Sequence, residues 1–294
     1  MSPIVQSFFH AASNTWSHIV SAGDGSAAAI IDPVLDFDPA SGRVSTESAQ
    51  AILAGVHCHR LDVQWILETH AHADHLSAAD WLARQLRAEG AQAKTGIGAG
   101  IVAVQREFAG RLNLGSSFAS DGSDFDHLFA DGETVPLGEW QIEVMYTPGH
   151  TPDGVSYRVG DVVFVGDTLF SPAAGTGRCD FPGGDAAALF RSIQRLYALP
   201  DNTRLYLCHD YPPQDAEPRN VVALVEHRSG NAQVRRDTAE SDFVARRCAR
   251  DATLAAPRLL WPALQVNIRA GRLPATESNG MRYFRIPLSA SAED

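Results

Sequence analysis

The apolar positions of the chain switch between two periods, and the switches lay out a series of short strands and helices. Near the N-terminus, Ser17–Ala22 and Ala27–Pro33 are short β-favouring runs joined by the turn signal Gly23-Asp24-Gly25. Ser45–Arg60 opens on capping residues and then carries apolar side chains at helical spacing. Val63–Leu67 returns to a compact, β-rich run. Leu76–Glu89, with Leu76, Ala79, Leu82 and Leu86 near helical spacing, predicts an amphipathic helix ended by Gly90. Further on, Trp140–Tyr146, Gly154–Val159 and Asp161–Val165 read as consecutive strands, Asp185–Leu199 as a helix and Arg204–Cys208 as a strand. Beyond about Tyr211 the sequence becomes charged, helical and punctuated by proline, which predicts a C-terminal helical cap rather than a separate domain. Strands in both halves with helices between them favour two sheets with helices outside.

The polar residues that interrupt this pattern are unevenly placed. Between the runs at Val63–Leu67 and Leu76–Glu89 lies Thr69-His70-Ala71-His72-Ala73-Asp74-His75, with three imidazoles and a carboxylate. These are the usual ligands of zinc and non-haem iron. Side chains two apart leave the same face of an extended segment, so His70 and His72 share one. Asp74 alone would suit a helix N-cap, but that role leaves the histidines unexplained. The cluster therefore predicts a metal centre on a strand–loop–helix junction, a usual place for chemistry in α/β folds.

Three more candidates lie at the ends of predicted elements. His150 sits in Thr147-Pro148-Gly149-His150-Thr151-Pro152, Asp167 ends Val162-Val163-Phe164-Val165-Gly166-Asp167, and His209 follows Leu205-Tyr206-Leu207-Cys208. A carboxylate directly after a buried strand is costly unless it is paired or bound to a metal. Singly, each of the three is more often a satisfied structural residue; together, downstream of the cluster, they read as ligands. His10, His18, His57, His59, His127 and His227 lack such a context and are expected at the surface or in structural roles.

Composition narrows the classes. A chain of 294 residues is one large domain or two average ones, and 45% hydrophobic residues suit a soluble globular protein. A formal charge of −11 argues against a nucleic-acid partner. No segment has the apolar length of a membrane span, and the start, Met-Ser-Pro-Ile-Val-Gln, lacks a signal-peptide pattern. Cys58, Cys179, Cys208 and Cys248 are scattered without CxxC spacing, so no disulfide framework is expected and a reducing cytoplasm is the default.

The ligand pattern resembles the metallo-β-lactamase superfamily, whose His-x-His-x-Asp-His loop is followed by a histidine, an aspartate and a histidine at later strand ends. Those positions correspond here to His70, His72, Asp74, His75, His150, Asp167 and His209, and the resemblance runs from roughly Phe9 to Tyr211. It implies an α/β fold, an αββα sandwich with the metal in a cleft along one edge of the two sheets. A C-terminal helical extension is expected to follow, with residues 1–212 as the catalytic domain and 213–294 packing on it. Ligand spacing alone permits a two-metal hydrolytic site.

Within the superfamily, Gly166-Asp167-Thr168-Leu169-Phe170 and Gly177-Arg178-Cys179-Asp180-Phe181 look like the persulfide dioxygenases of the ethylmalonic encephalopathy protein type. Cys208-His209-Asp210-Tyr211 and Gly280-Met281-Arg282 resemble that family's His-Asp-Tyr and late Met-Arg, and the match is closest to its longer bacterial form. The resemblance implies one Fe(II) per subunit, held by His70, His150 and Asp167, with His72, Asp74, His75 and His209 orienting ligands and handling protons. It implies glutathione persulfide and O₂ as substrates, sulfite and glutathione as products, and a homodimer. Arg178 is the first expected contact for the glutathione carboxylates, though an ion pair with Asp180 is an equal reading, and Tyr211 is a hydrogen-bond donor. Arg246, Arg247, Met281 and Arg282 are further candidates on the cap. Cys179 is expected as a buried structural thiol, with a sulfur-relay role as the other reading. Two rival readings are a glyoxalase II-like thioester hydrolase with a dinuclear site bridged by Asp167, and a non-catalytic metal-binding or sulfide-sensing module.

Overall fold

In the computed structural model, which describes residues 2–212 and 216–288, the chain opens with an antiparallel meander of β1 (Ile4–His10), β2 (Thr15–Ser21) and β3 (Ala27–Ile31). A short hairpin follows, β4 (Val34–Asp38) and β5 (Arg43–Ser45), then α1 (Glu47–Cys58) and β6 (Asp62–Leu67). Next come β7 (Leu76–Ser77), α2 (Ala79–Ala88), β8 (Lys94–Gly98), α3 (Ile101–Arg111) and β9 (His127–Phe129). The first sheet has the order β1-β2-β3-β6-β8-β9, and its last three pairings are parallel. Each parallel pairing needs a crossover, and α1, α2 and α3 supply them.

The second sheet is built in sequence order from β10 (Thr134–Leu137), β11 (Trp140–Tyr146), β12 (Val155–Val159), β13 (Val162–Phe164), β14 (Arg204–Tyr206) and β15 (Val221–Ala223). Its one parallel pairing, β13 with β14, is bridged by α4 (Ala186–Tyr197). Asp185 caps α4 by accepting the Ala188 N–H at 2.7 Å. The chain ends in α5 (Leu224–Gly230), α6 (Glu240–Asp251), α7 (Leu260–Asn267) and an extended tail.

Apolar side chains fix the layers. Ala29, Ile31, Leu67 and Phe129 of the first sheet meet Ile142, Val144, Tyr157 and Phe164 of the second. On the outer face of the first sheet, Ile30 and Ile66 pack against Ile52 and Val56 of α1 and Leu82 and Leu86 of α2. On the outer face of the second, Val163 and Leu205 pack against Leu189 and Ile193 of α4 and Phe243 of α6. The result is the expected αββα sandwich. The C-terminal segment shares these cores, since Ala263 and Val266 of α7 join the first outer cluster. The expected boundary between residues 212 and 213 falls where the described residues break off.

The predicted helix Leu76–Glu89 is corrected at its start. Leu76 and Ser77 pair with Leu35 and Val34 as β7, and the helix begins at Ala79. Leu76 is fully buried either way, so apolar spacing could not separate the two states. Asp74 lies outside the helix, whose N-cap position is Ala78, so capping does not explain it. The strand pattern also begins earlier than expected, with β1 preceding β2. No described helix is long and apolar enough to cross a membrane.

Ile66 sits at the centre of the first sheet and is fully buried. Ile66→Ala is expected to lower the unfolding free energy by about 3 kcal/mol through lost transfer energy and a cavity. Urea denaturation followed by circular dichroism checks this.

Candidate metal centre

The histidine loop starts where β6 ends, and three separate parts of the fold hold it. Asp32, one residue past β3, is 2% exposed and takes a left-handed φ of 49°. Its carboxylate accepts the Thr69 N–H at 2.7 Å, the Thr69 hydroxyl at 2.9 Å and His72 Nε2–H at 3.1 Å. Asp153 accepts the Ala71 N–H at 2.7 Å. Asn267, the last residue of α7, donates to the carbonyls of His72 and His75 and accepts from the Ser77 N–H, each at 2.8 Å. A loop fixed at this many points presents its side chains in one arrangement.

The structure brings together all seven residues singled out in the sequence. One set is His70, His150 and Asp167, and a second is His72, Asp74, His75 and His209, each with candidate ligand atoms within 4.8 Å of one another. Asp167 lies between them, with Oδ2 3.5 Å from His150 Nε2 and Oδ1 3.4 Å from His209 Nε2. The other ring nitrogens are oriented from outside. His150 Nδ1–H donates to the Arg178 carbonyl at 2.6 Å, and His209 Nδ1 lies 3.1 Å from the Asn14 carbonyl. Such outer contacts set the tautomer and aim the opposite nitrogen inward.

The inward atoms are left without hydrogen-bond partners. His70 Nε2, His72 Nδ1, Asp74 Oδ2, His75 Nε2, Asp167 Oδ1 and His209 Nε2 are all buried and make no hydrogen bond. A buried polar atom without a partner costs about 1–3 kcal/mol. Six such atoms, divided between the two sets, fit metal coordination rather than an empty core.

The site's electrostatics distinguish its members. Burial, reinforced by neighbouring imidazoles, holds His70 well below the usual histidine range, so it is neutral with a lone pair free. Burial likewise brings His75 down to about 4. Burial would lower His72 too, but the carboxylates of Asp32 and Glu68 prevail and raise it well above its usual value. Asp74 is held well below the ordinary carboxylate range, the pull of His209 and His75 overcoming its burial.

The centre opens on a cleft of about 800 Å³ whose lining includes Asp74, His150, Asp167, Phe170, Arg178 and Tyr211. Of the expected substrate contacts, Arg178 and Tyr211 therefore reach the cleft. Arg178 also forms the anticipated ion pair with Asp180 and donates to the Ala255 carbonyl. Arg247 lines the cleft, but its guanidinium is engaged by Gln233 and Asp251. Arg246 is bonded to the Gln233 carbonyl and Met281 is 58% exposed on the tail, both outside the cleft lining. Arg282 bonds the Pro274 carbonyl on the same tail. Cys179 is buried with its thiol pushed up to about 12 by burial, which suits a packing residue.

Several residues escaped the sequence reading. Asp32 follows a buried strand just as Asp167 does, so the same signal could have flagged it. Asn267, Gln233 and Arg250 carried no local signal; Arg250 lines the cleft, and its guanidinium has no hydrogen-bond or ion-pair partner among the described residues.

Buried imidazoles and carboxylates at the edge of an αββα sandwich define a metal-dependent protein of the α/β class. The chain belongs to the metallo-beta-lactamase superfamily, a superfamily of enzymes, whose profile matches residues 12–209. It is 47% identical over 97% of its length to a "Probable metallo-hydrolase" of Burkholderia pseudomallei, covering 99% of that protein. It is 46% identical over 89% of its length to "Glyoxylase B2" of Dictyostelium discoideum, covering 88% of that protein. Among solved structures it is similar to ETHE1 from Myxococcus xanthus, with a TM-score of 0.70 and 28% identity over 92% of this chain and 100% of that one.

Removal of the Asn267 side chain tests how the loop is held. Asn267→Ala leaves two carbonyls and an N–H buried without partners, with an expected loss of about 3 kcal/mol of stability. It should also weaken divalent-metal binding, measured by titration calorimetry.

Proposed function

We propose that this chain is a glutathione-dependent persulfide dioxygenase, oxidising glutathione persulfide with O₂ and water to sulfite and glutathione at one Fe(II). The observation that carries the reading is how the Gly177–Phe181 segment meets the ligands. The Gly177 N–H donates to the Asp167 carbonyl at 3.1 Å, and the Arg178 carbonyl accepts from His150. A Cβ at Gly177 would lie 2.2 Å from that Asp167 carbonyl, so only glycine fits. The stretch that resembles the persulfide dioxygenases thus orients two of the three proposed ligands. The likeness to the ETHE1 structure supports the same reading.

His70, His150 and Asp167 are the proposed iron ligands, two imidazoles and one carboxylate whose ligand atoms lie within 4.8 Å of one another. When bound, Fe(II) in such a triad supplies adjacent open positions for a sulfur donor and oxygen. Arg178 and Tyr211 line the cleft as proposed contacts for the glutathione part, and Arg250 joins them as the cation left free to take a carboxylate. Asp32 and Glu68 hold His72 with its Nε2 proton directed outward. Phe170 stacks edge-on against His209 and Tyr211 and helps keep water from that wall.

The alternative is a glyoxalase II-like hydroxyacylglutathione hydrolase with two metal ions. The second unpaired set, His72, Asp74, His75 and His209, favours it, as does the glyoxylase name of one relative.

Protein prepared without oxygen should hold about one iron per chain and take up oxygen only when glutathione persulfide is added. Two metal ions per chain with turnover of S-lactoylglutathione would replace this reading by the hydrolase. Arg250→Ala should raise KM for glutathione persulfide about 10-fold with kcat little changed, as expected for loss of a charge-assisted contact made equally before and during reaction.

A further inference from the structure

His10 lies apart from the metal centre, yet a line of hydroxyls joins them. His10 Nδ1 is 2.7 Å from Ser13 Oγ, and Ser13 Oγ is 2.7 Å from Thr15 Oγ1. Thr15 is fully buried, and its hydroxyl lies 3.4 Å from His75 Nδ1 and 3.3 Å from His209 Nδ1. At the outer end, His10 Nε2 faces Asp36 at 3.5 Å, where both side chains are partly exposed. They border a depression of about 300 Å³ that shares no lining residue with the substrate cleft. We propose that Thr15, Ser13 and His10 form a proton relay that carries protons from the metal centre to this second opening, with His10 and Asp36 as its outlet.

The donors can all point one way. The Asn14 carbonyl takes the His209 Nδ1–H at 3.1 Å, so His75 is the inner donor: His75 can donate from Nδ1 to Thr15, Thr15 to Ser13, and Ser13 to His10 Nδ1, leaving His10 Nε2–H to Asp36. One proton then moves outward by a hop at every link: an imidazole gains a proton at Nε2 as it gives up the one at Nδ1, each hydroxyl exchanges one proton for another, and His10 releases one from Nε2. No residue keeps a net charge. The inference rests on the proposed reaction. There one persulfide (GSSH), one O₂ and one water give glutathione, sulfite and two protons, and a substrate filling the cleft obstructs their way out. It also requires His75 to have Nε2 free of metal.

Two measurements test it. The first is oxygen uptake with glutathione persulfide in dilute buffer, for wild type, His10→Ala and His10→Gln. Glutamine can keep the contact with Ser13 but cannot pass a proton. Both variants should lose kcat on the order of 100-fold, the lower end of what a positioned acid or base contributes. KM and bound iron should be unchanged, and imidazole should restore His10→Ala in a saturable manner. If either variant turns over within about twofold of wild type, the relay is overturned while the dioxygenase reading stands. The second measurement needs no turnover: nitrogen-15 and proton NMR of histidine-labelled protein. Hydroxyl protons of Ser13 and Thr15 sheltered from exchange, with His10 Nδ1 accepting, are expected. Exchange at the solvent rate, or a proton resident on His10 Nδ1, overturns the relay even if wild type takes up no oxygen with persulfide and the dioxygenase reading itself falls.

Discussion

Asp32 carries a negative charge into a place with almost no solvent, in a backbone conformation that side chains other than glycine rarely adopt. Both features cost free energy, and both are offset by the donors that converge on its carboxylate. Two come from Thr69, which fixes the first residue of the loop before His70. The third comes from His72 Nε2, which fixes that ring so that Nδ1 faces inward. A neutral residue at this position would leave Thr69 without its acceptors and His72 free to turn over. The direction of two imidazoles therefore depends on one carboxylate that touches no ligand atom facing the cleft.

The sandwich explains why distant residues reach the same point. In both sheets the parallel strands deliver their C-terminal ends to one edge, the position where open α/β sheets place ligands. β6 ends there with the histidine loop, β13 leads into Asp167 and β14 leads into His209. The two sheets are joined directly at that edge, where the Trp16 N–H donates to the Cys208 carbonyl at 2.7 Å and Thr15 bridges to His209. Glycine permits the tightest approach. Gly166 has a φ of 51°, and a Cβ there would come within 2.6 Å of the Thr69 hydroxyl, so the Asp167 turn can press against the histidine loop only without a side chain.

The metal cluster was legible because its spacing is local: His70, His72, Asp74 and His75 lie within one loop, and His150, Asp167 and His209 each follow an apolar run or a Pro-Gly turn. The layered fold was legible for the same reason, since long periodic segments such as α1 and α4 appear close to their expected limits. What local pattern could not show is set by tertiary contact. Strands of two or three residues, such as β7 and β9, have no period to read, and their pairing with β4 and β8 defines them. Asn267 sits on a helix nearly two hundred residues from the loop it fastens, and nothing around it hints at that. The cleft wall was half legible, because Arg178 and Tyr211 lie beside motif residues while Gln233 and Arg250 come from the cap. His10 carries no local mark of this kind, since its link to the centre runs through the hydroxyls of Ser13 and Thr15.

The two sets of inward atoms are not electrostatically equivalent. His70 is neutral, so a cation meets a lone pair already free. His72 is raised by Asp32 and Glu68, and His209 is raised by Asp167 and Asp74 despite its burial. Two imidazoles of the second set thus hold a proton more firmly than His70 does. Metal binding competes with protonation of the same nitrogens. The carboxylates behind His72 thus set the second group apart within itself: they hold one imidazole with its proton, while His75 a few residues on stays neutral.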